Sequence, residues 1–241
     1  MNRKPPGESN KARPAHAALA VVLQVRDGAL QALLWKRARE PYGWALPGGR
    51  LEPDETLEAS IRRHLAEKVD VRELSHLEQL GTRSDPHRVP GERELATAYL
   101  GLVPSDADPD LPADTAWHPV EDLPETAFDH GAIVLTGRDR LRAKLSYTNV
   151  GFALAPETFA ISELRDLYTA ALGHEISATN LQRVLLRRDV LRPTGVTRAP
   201  GPTGGRPASL FRFGSRELAV TDAFAVLRPP RDPHVPASGS I

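Results

Sequence analysis

Residues 44–71, WALPGGRLEPDETLEASIRRHLAEKVDV, run from a glycine- and proline-marked loop into a helix. Tyr42 to Gly49 is too rich in breakers to be regular structure, whereas Leu57, Ile61, Leu65 and Val69 recur at four-residue spacing from Thr56 to Val69. That spacing predicts an amphipathic helix. Positions 64, 67 and 68 stand at i, i+3 and i+4, so they project together from one helical face. Upstream, AALAVVLQV (17–25) reads as a buried strand and Ala32–Trp35 as the start of a second, with Asp27-Gly28 as a hairpin turn. Downstream, strands are expected near Leu77–Gly81 and Leu95–Val103. LPADTAWHPVEDLP (111–124) then reads as strand and turn, leading to a helix over about His130–Leu145. Alternation of this kind implies a layered α/β domain ending near Ser146.

The pattern Gly49-x5-Glu55-x7-Arg63-His64-Leu65-Ala66-Glu67-Lys68-Val69-Asp70-Val71 resembles the Nudix box, G-x5-E-x7-R-E-U-x-E-E-x-G-U with U aliphatic. Gly49, Glu55, Arg63, Leu65, Glu67 and Val71 match in register, and Trp44–Gly49 is similar to the usual entry to the box. In the intact box, three glutamates at positions 64, 67 and 68 would hold divalent cations that neutralise a diphosphate and activate water. Here only Glu67 remains of the three; His64 and Lys68 replace the others, and Asp70 replaces the helix-ending glycine. Repulsion between an ammonium and a divalent ion about 4 Å apart is several kcal/mol at an effective dielectric of about 20. His64 and Glu67 alone are fewer ligands than a metal site usually needs. Efficient hydrolysis is therefore not expected, and no metal or catalytic residue is assigned. His64 and Lys68 have two readings: drift once turnover was dispensable, or a ligand role in which the Lys68 ammonium holds a diphosphate directly. Glu55 and Arg63 brace the loop–helix turn in the family pattern. Trp44 reads either as a base-stacking residue or as part of the core.

The chain has 241 residues, enough for one large domain or two modest ones. Net charge is zero, yet Asn180–Arg216 contains eight arginines (183, 187, 188, 192, 198, 206, 212, 216) against the one acid Asp189. That stretch is +7, and subtraction from the 31 basic and 31 acidic residues of the whole leaves −7 elsewhere. Positive potential is concentrated on one part of the molecule, which points to a polyanion partner. Cysteine is absent, so there are no disulfides or thiolate sites, in keeping with a cytoplasmic protein. No run of about 18 apolar residues provides a membrane span, and the first residues lack the apolar core of a secretory signal.

After residue 148 the pattern changes. Ile161–Leu172 reads as a helix closed by Gly173, and Ser177 as the cap of a second helix reaching about Val190. LRPTGVTRAPGPTGGRPASLFRF (191–213) reads as two extended pieces around a hairpin. Helix, helix and basic hairpin outline a winged helix-turn-helix. On the second helix Asn180, Gln182, Arg183, Arg187 and Arg188 stand against Leu181, Val184 and Leu185, and asparagine and arginine suit base edges and phosphates. Arg192, Thr194, Arg198 and Arg206 fall on the hairpin and complete the expected contact set for double-stranded DNA. RNA is disfavoured because no aromatic stacking platform is apparent.

Glu163–Tyr168, Gly173, Asn180–Arg183, Leu191–Gly195, Gly205–Ala208 and Leu210–Phe213 together resemble the NrtR family, Nudix-related transcriptional regulators of NAD metabolism. The resemblance implies an α/β/α sandwich with a mixed sheet over 16–148 and a winged helix over 149–228; residues 1–15 and 229–241, polar and proline-rich, read as flexible tails. It further implies a homodimeric repressor on palindromic operators of NAD biosynthesis or salvage genes, relieved by ADP-ribose or a related nucleotide, with no cofactor required. Trp44, Arg50, Glu67, Lys68 and Arg83 are the residues expected near that effector. SDPHRVPGERELATAYL (84–100) departs from the family's tighter Arg-Asp-Pro-Arg type of stretch, at His87 and Val89. The main rival is an active pyrophosphatase acting on ADP-ribose or similar nucleoside diphosphates; a nucleotide-binding scaffold without DNA affinity is a third reading.

Overall fold

A computed structural model describes residues 14–72, 74–199 and 207–222. Its first unit is built on one mixed sheet of β1 (Ala15–Arg26), β2 (Ala29–Arg37), β3 (Gly43–Ala45), β4 (Gly48–Arg50), β5 (His76–Arg83), β6 (Glu94–Leu102) and β7 (Thr115–Pro119). The order is β3-β2-β1-β6-β5, with β4 pairing β1 and β7 pairing β2; β1 and β6 run parallel and every other named pair is antiparallel. Asp27 and Gly28 turn the first hairpin with φ of 50° and 75°, the conformation that matches the twist of a two-residue connection.

Strand alternation divides the core into two layers. Ala18, Ala20, Val22 and Leu33 face α1 (Leu57–Val69), where they meet Ile61, Leu65 and Val69. Leu19, Val21, Leu23, Leu34, Leu100 and Leu102 face the other way, onto Ile133, Val134, Leu141 and Leu145 of α2 (His130–Tyr147). The expected sandwich is the one observed. α2 approaches β1 closely at Gly137, where an added Cβ would stand 2.7 Å from Val21 Cγ1.

A 3-10 turn at Val150–Ala153 leads into the second unit: β8 (Phe159–Ala160), α3 (Ile161–Leu172), α4 (Ala178–Arg187), β9 (Leu191–Arg198) and β10 (Ala208–Phe213). Its sheet has the order β8-β10-β9 and closes a winged helix. Gly173 ends α3 in the left-handed region, and Ser177 caps α4 by accepting from the Asn180 N–H. α4 is shorter than the expected span to Val190. Asp189 takes a φ of 59° and Arg188 leaves the helix, so α4 ends three residues early and the chain turns before entering β9 at Leu191.

The two units share a single apolar cluster, in which Phe152, Phe159, Leu164, Leu181, Leu185 and Phe213 continue the α2 layer. Hydrogen bonds reinforce the junction. Arg142 Nε donates to the Ala171 carbonyl at 3.1 Å, and Arg188 Nη1 donates to the Ser146 carbonyl at 2.8 Å. Residues 215–221 return to the end of α2: Asn149 Nδ2 donates to the Glu217 carbonyl at 2.8 Å, and the Thr221 N–H donates to the Tyr147 carbonyl at 2.9 Å.

Candidate functional site

The 44–71 segment folds as the end of β3, the strand β4, a loop and a capped helix; the Tyr42–Gly49 stretch expected to be irregular is thus drawn into two three-residue strands by pairing with β2 and β1. Thr56 caps α1 through the Ala59 N–H, and Asp70 ends it in the left-handed region with φ 52° and ψ 27°. Aspartate tolerates that conformation better than most residues, so the turn survives without glycine. Gly48 has a φ of 151°, and a Cβ there would lie 2.2 Å from the Ala18 carbonyl oxygen. Only glycine lets β4 pair with β1 at this point.

Glu55 and Arg63 form a two-pronged ion pair: Arg63 Nη2 donates to Glu55 Oε1 at 2.6 Å and Nε donates to Oε2 at 3.0 Å. Glu55 Oε1 also accepts from the Glu52 N–H at 2.8 Å. The guanidinium beside it holds the Glu55 carboxyl down at a pKa of about 2, and the same contact raises that of Arg63. This is the brace expected from the sequence.

The three positions that carry the box's chemistry are occupied in another way. His64 is buried against Gly49, whose added Cβ would lie 2.6 Å from the imidazole Cε1. Its Nε2 lies 3.1 Å from the Arg50 carbonyl oxygen; a carbonyl only accepts, so Nε2 carries the proton. Burial lowers the His64 pKa, and nearby Lys68 and Arg63 add to that. Lys68 Nζ donates to the Gly48 carbonyl at 2.6 Å and lies 5.4 Å from the centre of the Trp35 ring. Desolvation by burial lowers its pKa, with Arg63 adding. Glu67 is exposed and faces Arg63 Nη1 at 3.4 Å.

These residues do not fit a divalent cation. One carboxylate faces a guanidinium, the imidazole offers a single buried lone pair on Nδ1, and an ammonium stands at the third position, which leaves fewer ligands than a divalent site needs. Among the described residues no group of three or more histidines and carboxylates is gathered as metal ligands elsewhere.

Beside Lys68 opens a cleft of about 1190 Å³, lined by Trp35, Arg37, Arg39, Tyr42, Gly48, Arg50, Lys68, Glu92, Phe128 and His130 among others. Of the five residues expected near an effector, Arg50 and Lys68 line it. Glu67 points away towards Arg63. The Trp44 ring packs edge-on against His118 at 4.2 Å, and Arg83 Nη2 donates to Thr136 Oγ1 on α2 at 2.7 Å; neither lines the cleft. Trp35, Arg37, Tyr42, Phe128 and His130 were not singled out in the sequence, because they come from three separate stretches that only the fold brings together. His130 Nδ1 accepts from the Leu46 N–H at 3.0 Å, and burial brings its pKa down to about 4. The ring is therefore neutral at pH 7, with its other nitrogen protonated. Arg88 pins the 84–93 loop beside the cleft: it donates to Asp129 at 2.8 Å and to Glu94 at 3.2 Å, with its own side chain 2% exposed.

On the winged helix, Leu181 and Leu185 are buried while Asn180, Arg183 and Arg187 are exposed and Gln182 is half-buried. Arg183 Nη2 donates to Asn180 Oδ1 at 2.7 Å. The remaining arginines divide into groups that sequence could not distinguish. Arg192 is paired with Asp189 and Arg198 with Glu163. Arg188 reaches inward to the Ser146 carbonyl, and Arg216 donates to the Phe152 carbonyl at 3.1 Å. Neither presents its charge as a helix-face residue would. Thr194 Oγ1 is used within the hairpin, donating to the Leu210 carbonyl at 2.9 Å and accepting from the Val196 N–H at 3.1 Å. Arg212, exposed on β10 opposite Arg192, joins the outer face; the alternation in Leu210-Phe211-Arg212-Phe213 was the available signal. Arg206 lies outside the described residues, as do most of the first tail and the whole of 229–241.

Residues 14–136 match the model of the NUDIX domain, and residues 151–213 match that of the NrtR DNA-binding winged helix domain. The ADPR responsive transcriptional repressor NtrR of Acinetobacter baylyi is 30% identical over 205 residues, covering 81% of this chain and 80% of that protein. The crystal structure of Shewanella oneidensis NrtR complexed with a 27mer DNA is similar over 82% of this chain and 92% of that one, with 31% identity and a TM-score of 0.69. The NUDIX domain of the Shewanella protein complexed with ADP ribose is similar over 58% of this chain and 94% of that one, with 30% identity and a TM-score of 0.50. A likeness that runs through both units, in the same order and over four fifths of the length, places this chain in the NrtR family.

Proposed function

We infer that this chain is a transcriptional repressor that grips operator DNA with its winged helix and responds to ADP-ribose in the cleft of its Nudix domain. The observation that carries the reading is the outer row of α4. Asn180, Arg183 and Arg187 stand at i, i+3 and i+7 on a helix whose other side is buried. Arginine and asparagine are the side chains best suited to guanine and adenine edges in a major groove. Gln182, Arg192, Thr194, Arg198 and Arg212 flank that row on the helix and the wing, and Arg206 extends the set. Arg192 and Arg198 must exchange an intramolecular carboxylate for phosphate, so they contribute less than Arg183 and Arg187.

ADP-ribose is the chosen effector because the Acinetobacter relative is an ADPR responsive repressor and the Shewanella Nudix domain has been solved with ADP ribose. The cleft has the aromatic and cationic lining that a nucleoside diphosphate requires. The protein acts in the cytoplasm as a homodimer, each copy taking one half of a palindromic operator of an NAD biosynthesis or salvage gene. It does not turn its effector over, since the positions that would hold cations are otherwise engaged.

Fluorescence anisotropy with DNA from upstream of the protein's own gene tests the reading. Binding should weaken steeply with salt, because each neutralised phosphate releases counterions, and ADP-ribose should weaken it further. Salt-insensitive binding, or none, overturns the DNA assignment. AMP release from ADP-ribose and Mg²⁺ at about 1 s⁻¹ or faster would restore the hydrolase.

A further inference from the structure

We propose that the cleft binds the diphosphate of its nucleotide without any divalent cation, the Lys68 ammonium standing where the metal of a Nudix hydrolase would be. The inference rests on the reading that ADP-ribose is the effector. Three observations carry it. First, Lys68 is the box position at which an intact Nudix helix presents a cation-holding carboxylate, and here Lys68 lines the cleft. Second, that ammonium is fixed. It spends one N–H on the Gly48 carbonyl at 2.6 Å and lies 5.4 Å from the centre of the Trp35 ring. An ammonium has three donors, so two remain for phosphate oxygens. Third, the nearest alternatives cannot make a metal site between them: Glu67 faces Arg63, and His64, with its Nε2–H on the Arg50 carbonyl, offers only the Nδ1 lone pair, one ligand where a catalytic metal takes about three.

Arg50 lines the same wall, exposed, with Glu92 3.8 Å away. An incoming diphosphate would therefore meet one anchored and one adaptable cation. Binding through fixed protein charges has a further consequence. No cation is positioned to activate water, so the ligand can be held for long periods without being consumed, as a sensor requires.

Isothermal titration of the full-length protein with ADP-ribose, in EDTA and in excess Mg²⁺, tests the proposal; inorganic pyrophosphate is the second probe. Wild-type affinity is expected to be the same in both media within about twofold. Lys68→Gln should bind about ten- to a hundredfold more weakly, the range for one charge-assisted hydrogen bond, whereas Lys68→Arg should retain most of the affinity. Circular dichroism melts of both variants show whether either has lost its fold. Binding that requires Mg²⁺, or a folded Lys68→Gln that binds as tightly as wild type, overturns the proposal. If pyrophosphate binds in EDTA through Lys68 while ADP-ribose does not bind at all, the metal-free diphosphate site stands and the choice of effector falls. If neither probe binds, both fall.

Discussion

α1 and α4 begin alike and use their charges in opposite ways. Each has a hydroxyl cap accepting from the third N–H, one buried apolar stripe and a strongly charged opposite side. On α1 three polar side chains turn inward while Glu58, Arg62 and Glu67 stay exposed. Arg63 closes on Glu55, His64 on a backbone carbonyl, and Lys68 on another beneath the cleft. On α4, Arg183 and Arg187 remain at the surface. A cluster of charged residues thus says little until the partners of each are known. Where backbone carbonyls and acids lie within reach, charge becomes architecture; where they do not, it is left for a ligand.

That contrast can be broken most severely on α4. Arg183→Ala together with Arg187→Ala should weaken operator affinity by about a hundredfold or more, at about 1–3 kcal/mol for each base or phosphate contact. The melting temperature should not fall, because neither side chain is buried. Equal losses of stability and affinity would show that α4 is structural too. On the cleft side, His130 makes stability depend on pH. Its pKa is near 4 when folded and about 6.5 when unfolded, so the unfolded chain takes up the extra proton between those values. The stabilisation is complete above about pH 6.5, is lost progressively as pH falls to about 4, and amounts to about 3 kcal/mol in order of magnitude. Urea midpoints at pH 7 and pH 4.5 should differ by less in His130→Gln than in wild type.

Arg63→Ala should come next. It frees the Glu55 carboxylate and loosens the turn, lowering the melting point by about 3–6 °C while leaving operator affinity of the folded protein unchanged. The depressed Glu55 pKa predicts that this brace is intact above about pH 4.5 and is lost as pH falls towards 2. The smallest change is expected for Arg198→Ala on the wing. Its existing contact with Glu163 must be surrendered before DNA can benefit, so operator affinity should fall only about two- to threefold, the scale of exposed ion pairs. A loss matching that of Arg183→Ala would mean that the paired and unpaired arginines are equivalent.

Periodicity and the in-register box made most of the architecture legible. Leu57, Ile61, Leu65 and Val69 located α1, Asp27-Gly28 located the first hairpin, and Gly173 and Ser177 marked the corner between α3 and α4. The end of α4 was not legible, because Asp189 adopts a positive φ that nothing in RRDVL announces. The cleft was half legible. Arg50 and Lys68 belong to the box and could be read from it. His130, Phe128 and Tyr42 carry no local pattern and become neighbours only through sheet and loop. Trp44 and Arg83 lie off the cleft lining, on His118 and Thr136, because proximity to a motif in sequence does not fix the direction of a side chain. The eight arginines show the same limit, for their sum is visible in the sequence and their pairing is not.

The contact between Gly137 and Val21 seats α2 on β1 near the helix's middle. One arm, about 10 Å long at 1.5 Å per residue, ends at His130 in the cleft. The other, about 15 Å, ends at Tyr147, beside the carbonyls gripped by Arg188 and Thr221. A tilt of about 5° would swing the far end by about 1 Å, and helix displacements of about 1–2 Å are enough to reset a subunit interface. A side chain larger than hydrogen at position 137 would push α2 off β1 and displace its cleft end and its winged-helix end together.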